Sequence, residues 1–219
     1  YLDKLGNLIK GYGFTQLIIG FSALCTIPFF ARIPFANRWI YENWGQQFDL
    51  MQGANFLTIL GLLFIPTFFM GAQFPIVIKA MATKLATVGQ NVGRTYACNT
   101  FGTIIGSFLA GFVFIPVLGL QTTILTAAFL NVLLGMALLI FGAQLSFNWK
   151  MYFLPGVFIA YLLAANSIVP WDKSVISSGS FMPYRIGDLK EAEQKKNKIL
   201  FFKEGMHTTV TTELSVSGN

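Results

Sequence analysis

The chain has 219 residues, of which 54% are hydrophobic and only 11% are charged, and its mean hydropathy is +0.62. Soluble domains normally carry about 25% charged residues, so this composition excludes an ordinary soluble domain and predicts a membrane protein. The net charge of +6 comes from bases scattered over the loops, and no basic stripe forms. Nucleic-acid binding is therefore not expected.

Windows without any charged residue predict the membrane spans. These windows are 11–31, 50–78, 95–149 and 151–171. A helix needs about 20 residues to cross the bilayer, so the third window must hold two helices, divided at 115–121 by Pro116 and Gly119. The sequence thus predicts an all-α polytopic membrane fold with about five spans. The predicted spans are 13–31, 51–74, 95–115, 121–143 and 151–169.

Two features of this membrane part concern helix shape and position. Pro66 lies inside the second predicted span, and Pro75 marks its end, because proline removes a backbone donor. The loop between the first two spans contains Trp39, Tyr41 and Trp44. These aromatic residues predict a short helix at the level of the lipid headgroups.

Small residues recur at four-residue spacing on one face of the third predicted span. They are Cys98, Gly102, Gly106 and Ala110. Small residues let two helix backbones approach closely, and "GTIIG" has the G-x-x-x-G form. Packing within the chain is the first expectation, and a homodimer through this face is the second.

Basic residues in the loops predict the orientation. One set of loops holds Lys4, Lys10, Lys79, Lys84, Arg94 and Lys150, whereas the opposite set holds Arg32 and Arg38. This bias places the N-terminus in the cytoplasm, and five crossings then place the tail outside.

No residue of the chain is predicted to be catalytic, to bind a cofactor or to ligate a metal. Cys25 and Cys98 lie in apolar segments, and His207 has no cysteine or second histidine near it in the sequence. At membrane depth the polar residues are Asn55, Asn99 and Asn131, with Gln73 near a helix end. They predict either hydrogen bonds between helices or a path for a neutral solute.

The composition changes after Trp171. Residues 172–198 mix both signs of charge and predict a polar linker. In "HTTVTTELSV" Val210, Leu214 and Val216 alternate with polar residues, which predicts a half-buried strand. The preceding "ILFF" predicts its partner strand, and "KEGM" the turn. The hairpin at 199–219 is expected to begin a soluble domain that the chain leaves incomplete, and Tyr1 is expected to lie inside a longer protein.

Three stretches carry a resemblance to a known family. "PTFFMGAQFPIVIKA" (66–80) is similar to the P-x-x-x-M-G-A-x-x-P signature of bacterial proteins that fuse a membrane domain to a spermidine synthase-like domain. "VGRTYACNTFGTIIG" (92–106) resembles the V-G-x-x-Y-x-x-N-x-x-G-x-x-x-G segment of the same family. "ILFFKEGMHTTV" (199–210) looks like the y-y-x-E-G-x-x-x-T-V entry of the synthase-like part. The residues that match are Met70, Gly71, Ala72, Pro75, Gly93, Tyr96, Asn99, Glu204 and Gly205.

The resemblance implies a membrane part (1–171) similar to half of a major-facilitator transporter, with a small β-domain and a Rossmann-like methyltransferase fold after it. In true spermidine synthases that fold transfers an aminopropyl group from decarboxylated S-adenosylmethionine to putrescine, without a metal. This co-substrate and the polyamine substrate are implied only for an intact protein that has the soluble domain. Classical synthases carry Y-Q-D-I where this chain has His207, Thr208, Thr209 and Val210, so the resemblance does not carry over their ordinary polyamine specificity.

Two other function classes stay open at this point. The helices themselves could form a transporter, or they could be a scaffold without enzymatic activity. In every case the expected location is the bacterial inner membrane, with the lipid bilayer as the main partner.

Overall fold

The computed structural model describes residues 2–81, 88–142, 146–147, 149–177, 198–205 and 208–214. These residues form helices α1 (Leu2–Phe30), α2 (Ile33–Trp44), α3 (Phe48–Met81), α4 (Val88–Leu109), α5 (Ile115–Leu118), α6 (Leu120–Ala137), α7 (Leu154–Asn166) and α8 (Lys173–Ser177), and strands β1 (Lys198–Glu204) and β2 (Thr209–Leu214). A π-helical turn joins α4 to α5 (Ala110–Phe114), a second extends α6 (Leu138–Gly142), and a third precedes α7 (Trp149–Phe153).

Four helical segments among the described residues are long and apolar enough to cross a membrane. They are Leu5–Phe30, Phe48–Met81, Val88–Leu118 and Leu120–Gly142. They coincide with the first four predicted spans, so helices of sufficient length and apolar character are confirmed at these four places. The fifth predicted span, 151–169, falls on the π-helical turn and α7, a shorter helix that is not among these four.

The core lies where α1 packs against α6, and glycines allow the close approach. A Cβ at Gly20 would lie 2.6 Å from Val132 Cγ2 and 2.8 Å from the Ala128 carbonyl oxygen. A Cβ at Gly135 would lie 2.8 Å from the Gly13 carbonyl oxygen. The glycines therefore let the two antiparallel backbones touch, as small residues do between membrane helices.

Helix α7 runs beside α1 in the same direction. Three ring pairs mark the contact: Phe14 with Phe153, Phe21 with Tyr161, and Phe30 with Trp171, at centroid distances of 6.1, 5.9 and 5.9 Å. The indole N–H of Trp171 also donates to the Ile27 carbonyl oxygen at 3.0 Å. Trp171 thus lies at the end of the bundle where α1 ends.

The second and third membrane helices lie at the edge of the bundle. In α1 44% of the membrane window is buried, against 6% in α3 and none in the segment Val88–Leu118. Two strongly apolar helices are therefore largely exposed, as expected of helices whose surroundings are lipid or other apolar surface.

Three details of the sequence prediction need correction. Helix α3 continues through Pro75 to Met81, because a membrane helix that has lost one backbone bond still satisfies more groups than an end within the bilayer would. Pro116 lies in the first turn of α5, where its missing N–H costs little, and the chain turns only at Gly119. Lys203 and Glu204 belong to β1, not to the hairpin turn.

The predicted short helix after the first span is confirmed as α2. The predicted hairpin is also confirmed, as an antiparallel pair in which Lys203 faces Val210 and Phe202 faces Thr211. A bulge lies between Ile199 and Phe201. Most of the predicted linker, His207 and Val216 lie outside the described residues.

Candidate functional site

The hairpin docks on one end of the helical bundle, at the turn between α5 and α6. This turn is made by Gly119, whose φ of 81° is in the left-handed region that favours glycine. The carboxylate of Glu204, the last residue of β1, accepts a hydrogen bond from the backbone N–H of Leu120. Leu120 is the first residue of α6, so its N–H has no carbonyl partner within the helix.

The chemistry of this contact favours a carboxylate. A helix N-terminus carries a partial positive charge and unpaired N–H groups. An anionic acceptor at this place compensates both, and its hydrogen bond is stronger than a neutral one. A Cβ on Gly119 would lie 2.8 Å from Glu204 Oε2, so the turn leaves room for the carboxylate only because residue 119 is glycine.

A second set of contacts fixes the segment that leads to the hairpin. The side chain of Gln121 donates to the Val169 carbonyl oxygen at 3.1 Å and accepts from the Trp171 N–H at 3.0 Å. The ammonium of Lys173 lies 5.0 Å from the centre of the Phe202 ring, within range of a cation–π interaction. Helix ends and hairpin are therefore joined by polar and aromatic contacts.

These contacts surround a polar cavity of about 380 Å³. Its walls come from α5, the start of α6, the segment around Trp171 and β1. Lys173, Lys203 and Glu204 contribute the charged groups. The cavity marks the boundary between the membrane part and the tail.

The residues that match the motifs of the resembled family fall into two groups, near opposite ends of the helical segment Val88–Leu118. Glu204 forms the docking contact, and the Gly205 N–H donates to the Thr208 carbonyl oxygen at 2.9 Å to close the hairpin. The other group, Met70, Gly71, Ala72, Pro75, Gly93, Tyr96 and Asn99, lies on α3 and α4.

Helices α3 and α4 touch near the second group of motif residues, and Tyr96 is the member with a described contact between the helices. Tyr96 packs edge-on against Phe74 at 6.4 Å between ring centroids. Near the same end, the Asn91 side chain donates to the Met81 carbonyl oxygen at 2.9 Å. Gly71 and Gly93 would have no described atom within 4 Å of an added Cβ. Tyr96 therefore packs on a residue outside the motif, and the motif glycines have no close neighbour in the described part of the chain.

The small-residue face of the third span is also uncovered. An added Cβ on Gly102 or Gly106 would meet no described atom within 4 Å, and Cys98 is exposed. Close glycine packing occurs instead between α1 and α6. The use of the Cys98–Ala110 face, within the chain or in a homodimer, stays a prediction.

The polar residues of the membrane part make mostly local bonds. The Asn131 side chain donates to the Ala127 carbonyl oxygen of its own helix at 2.9 Å. Gln73 reaches Thr15 Oγ1 at 3.5 Å and is the amide that links α3 to α1.

Sequence reasoning missed Gln16, Gln121 and Trp171. Gln16 is only 4% exposed, and its Oε1 has no hydrogen-bond partner in the described part of the chain. Its signal was an amide inside a charge-free window, at the sixth residue of 11–31. Gln121 and Trp171 had no such signal, since each stands where a span was expected to begin or end.

No protein-family model, no curated protein and no solved structure matches the chain.

Proposed function

We propose that the chain is the membrane part and entry hairpin of a spermidine synthase-like transferase anchored in the bacterial inner membrane. In this account the helices hold and orient a soluble domain, and the transfer chemistry belongs to that domain. The observation that supports it best is the Glu204–Leu120 hydrogen bond. It fixes the motif residue at the entry of the synthase-like part to the end of a membrane helix.

The arrangement of helix ends supports an orientation within this proposal. The ends of α1 and α7, the turn at Gly119 and the hairpin lie together, as the Trp171–Ile27 and Glu204–Leu120 contacts require. Lys150 donates to the Ile140 carbonyl oxygen at the opposite end of α6. If basic loops face the cytoplasm, the hairpin belongs on the outer side, and a substrate there would have to be available outside the cytoplasm.

An aminopropyl-transfer assay tests the proposal. Membranes containing the protein expressed from its gene would receive decarboxylated S-adenosylmethionine labelled in the aminopropyl group, together with putrescine, cadaverine or agmatine. We expect label to appear in at least one amine, and the 219-residue chain alone to transfer none. Turnover by the 219-residue chain, or the absence of transfer by the gene product with every acceptor, would contradict the proposal.

Transport is a second candidate, favoured by the buried amide of Gln16. A buried carbonyl oxygen without a hydrogen-bond partner costs about 1–3 kcal/mol, so a water molecule or a solute donor is expected there. Gln16 Nε2 lies 3.4 Å from the Tyr12 hydroxyl, one helical turn away, and Gln73 lies beside Thr15. Gln73 thus connects α3 to α1, whereas Gln16 lies where α1 packs on α6, with its Cβ 3.1 Å from the place of a Cβ added at Gly135.

Uptake into proteoliposomes separates the two candidates. Under the anchoring proposal, labelled polyamines and neutral amino acids enter no faster than into protein-free liposomes. Uptake that is lost in Gln16→Leu and retained in Asn131→Leu, whose amide donates to the Ala127 carbonyl oxygen of its own helix, would favour transport. A scaffold without enzymatic activity would show neither transfer nor uptake.

A further inference from the structure

An apolar cavity of about 680 Å³ lies between α1, α2 and α3. Its volume is in the range of ligand-binding clefts, about 300–1,000 Å³. The walls include Phe21, Cys25 and Phe29 from α1, and Gly61 and Ile65 from α3. It lies in the half of the bundle where α1 ends.

The polar side chains that line the cavity do not call for a polar ligand. The hydroxyls of Ser22, Thr26 and Thr58 donate to carbonyl oxygens of their own helices, at 3.1, 2.7 and 2.8 Å. Their donors are therefore already satisfied. What remains along the walls is hydrocarbon and the Cys25 thiol, which behaves as a small apolar group. The body of the cavity thus suits an alkyl chain.

A positive charge borders this apolar space. Arg32 lines the cavity from the short turn between α1 and α2, and it is exposed. Within the described part of the chain no carboxylate pairs with it, whereas Arg38, six residues on, bonds to Glu42 at 2.8 Å. Trp39 and Trp44 pack edge-on in the following helix, and such aromatics sit at the level of the lipid headgroups.

We propose that this cavity binds an anionic phospholipid, with one acyl chain between α1 and α3 and the phosphate on the guanidinium of Arg32. Guanidinium groups match phosphate oxygens with two parallel hydrogen bonds. An apolar slot that ends in an unpaired cation at headgroup depth complements both parts of such a lipid. A zwitterionic lipid offers the same chain, but its choline cation offsets the phosphate charge.

Native mass spectrometry of the detergent-purified protein tests whether the cavity prefers an anionic to a zwitterionic lipid. The protein would be titrated with phosphatidylglycerol or with phosphatidylcholine of the same acyl chains. We expect phosphatidylglycerol to bind about tenfold more tightly, because no choline cation offsets the charge of its phosphate. Arg32→Gln should abolish this preference, and Arg38→Gln, which removes a cation already paired with Glu42, should keep it.

The proposed site of the acyl chain is tested by substituting a matched pair of glycines on α3. An added Cβ meets no described atom within 4 Å at either Gly61 or Gly53, but only Gly61 lines the cavity. Gly61→Leu should fill the slot and weaken binding of both lipids about tenfold, and Gly53→Leu should leave both unchanged. Both glycine variants are expected to fold. They therefore test the acyl-chain site even if the Arg32→Gln variant does not fold.

Three results would each overturn the proposal. They are equal affinity of the unchanged protein for the two lipids, equal lipid preference in Arg32→Gln and Arg38→Gln, and equal binding by Gly61→Leu and Gly53→Leu.

Discussion

Replacing Gly135 by leucine is expected to separate α1 from α6 and to destabilise the bundle by about 3 kcal/mol, near the upper end for overpacked cores. A Cβ at this position would lie 2.8 Å from the Gly13 carbonyl oxygen, 3.0 Å from Leu17 Cδ2 and 3.1 Å from Gln16 Cβ. Backbone oxygen cannot move aside as a flexible side chain can, so the helices themselves must part.

The loss of packing should extend to core residues beyond Gly135. Val132 and Leu139 lie in the same core with Leu17 and Tyr161, and these side chains are almost fully buried. Parting the helices would leave cavities around them, and cavities add to the cost. Unfolding by sodium dodecyl sulfate in mixed micelles, followed by circular dichroism, would measure the change in the free energy of unfolding.

Gly106→Leu is the matched control. It makes the same substitution in another membrane helix, at a glycine whose added Cβ meets no described atom within 4 Å. Its effect on the free energy of unfolding should stay within about 0.5 kcal/mol. If Gly106→Leu destabilises the protein as much as Gly135→Leu, the loss is not specific to the α1–α6 contact, and the account of the core is contradicted.

Glu204→Ala is expected to release the hairpin from the helix end. The substitution removes a charged acceptor from the Leu120 N–H, and hydrogen bonds to charged groups contribute about 1.5–3 kcal/mol. Amide hydrogen exchange at 119–121 should therefore accelerate by about tenfold or more. Hydrogen–deuterium exchange with mass spectrometry would report the rate.

Gly119→Ala should have the same effect for two reasons. Alanine is strained at the φ of 81°, and its Cβ would meet the Glu204 carboxylate. The control is Glu42→Ala, which removes a carboxylate whose side chain is 51% exposed and paired with Arg38. Exchange at 119–121 that is unchanged in Glu204→Ala, or equally faster in Glu42→Ala, would show that the carboxylate does not hold the hairpin.

The membrane helices could be predicted from the sequence because the bilayer imposes length and hydropathy on each span. The residues at which the helices end were less predictable. Pro75 marked the predicted end of a span by its missing donor, yet α3 continues six residues further to Met81. Gly119 was predicted correctly as the turn, since its freedom at positive φ is a property of the residue itself.

The helix contacts could not be predicted in the same way. Glycines of several spans permit close approach, and the spacing of Gly102 and Gly106 does not tell whether a neighbour is present. The contact depends on which helices the topology brings together, and it falls at Gly20 and Gly135. Likewise, the family motif singled out Glu204, but its hydrogen bond to Leu120 links residues 84 positions apart.

The docking of the hairpin on the helix ends is the structural basis of the anchoring proposal, and a distance measurement tests it directly. Spin labels would be placed at Val117 and Val210, which are 74% and 50% exposed, after Cys25 and Cys98 have been replaced by alanine. Double electron–electron resonance should then give one narrow distance distribution, which broadens in Glu204→Ala. A broad distribution in the parent protein, or the same narrow one in Glu204→Ala, would contradict the account.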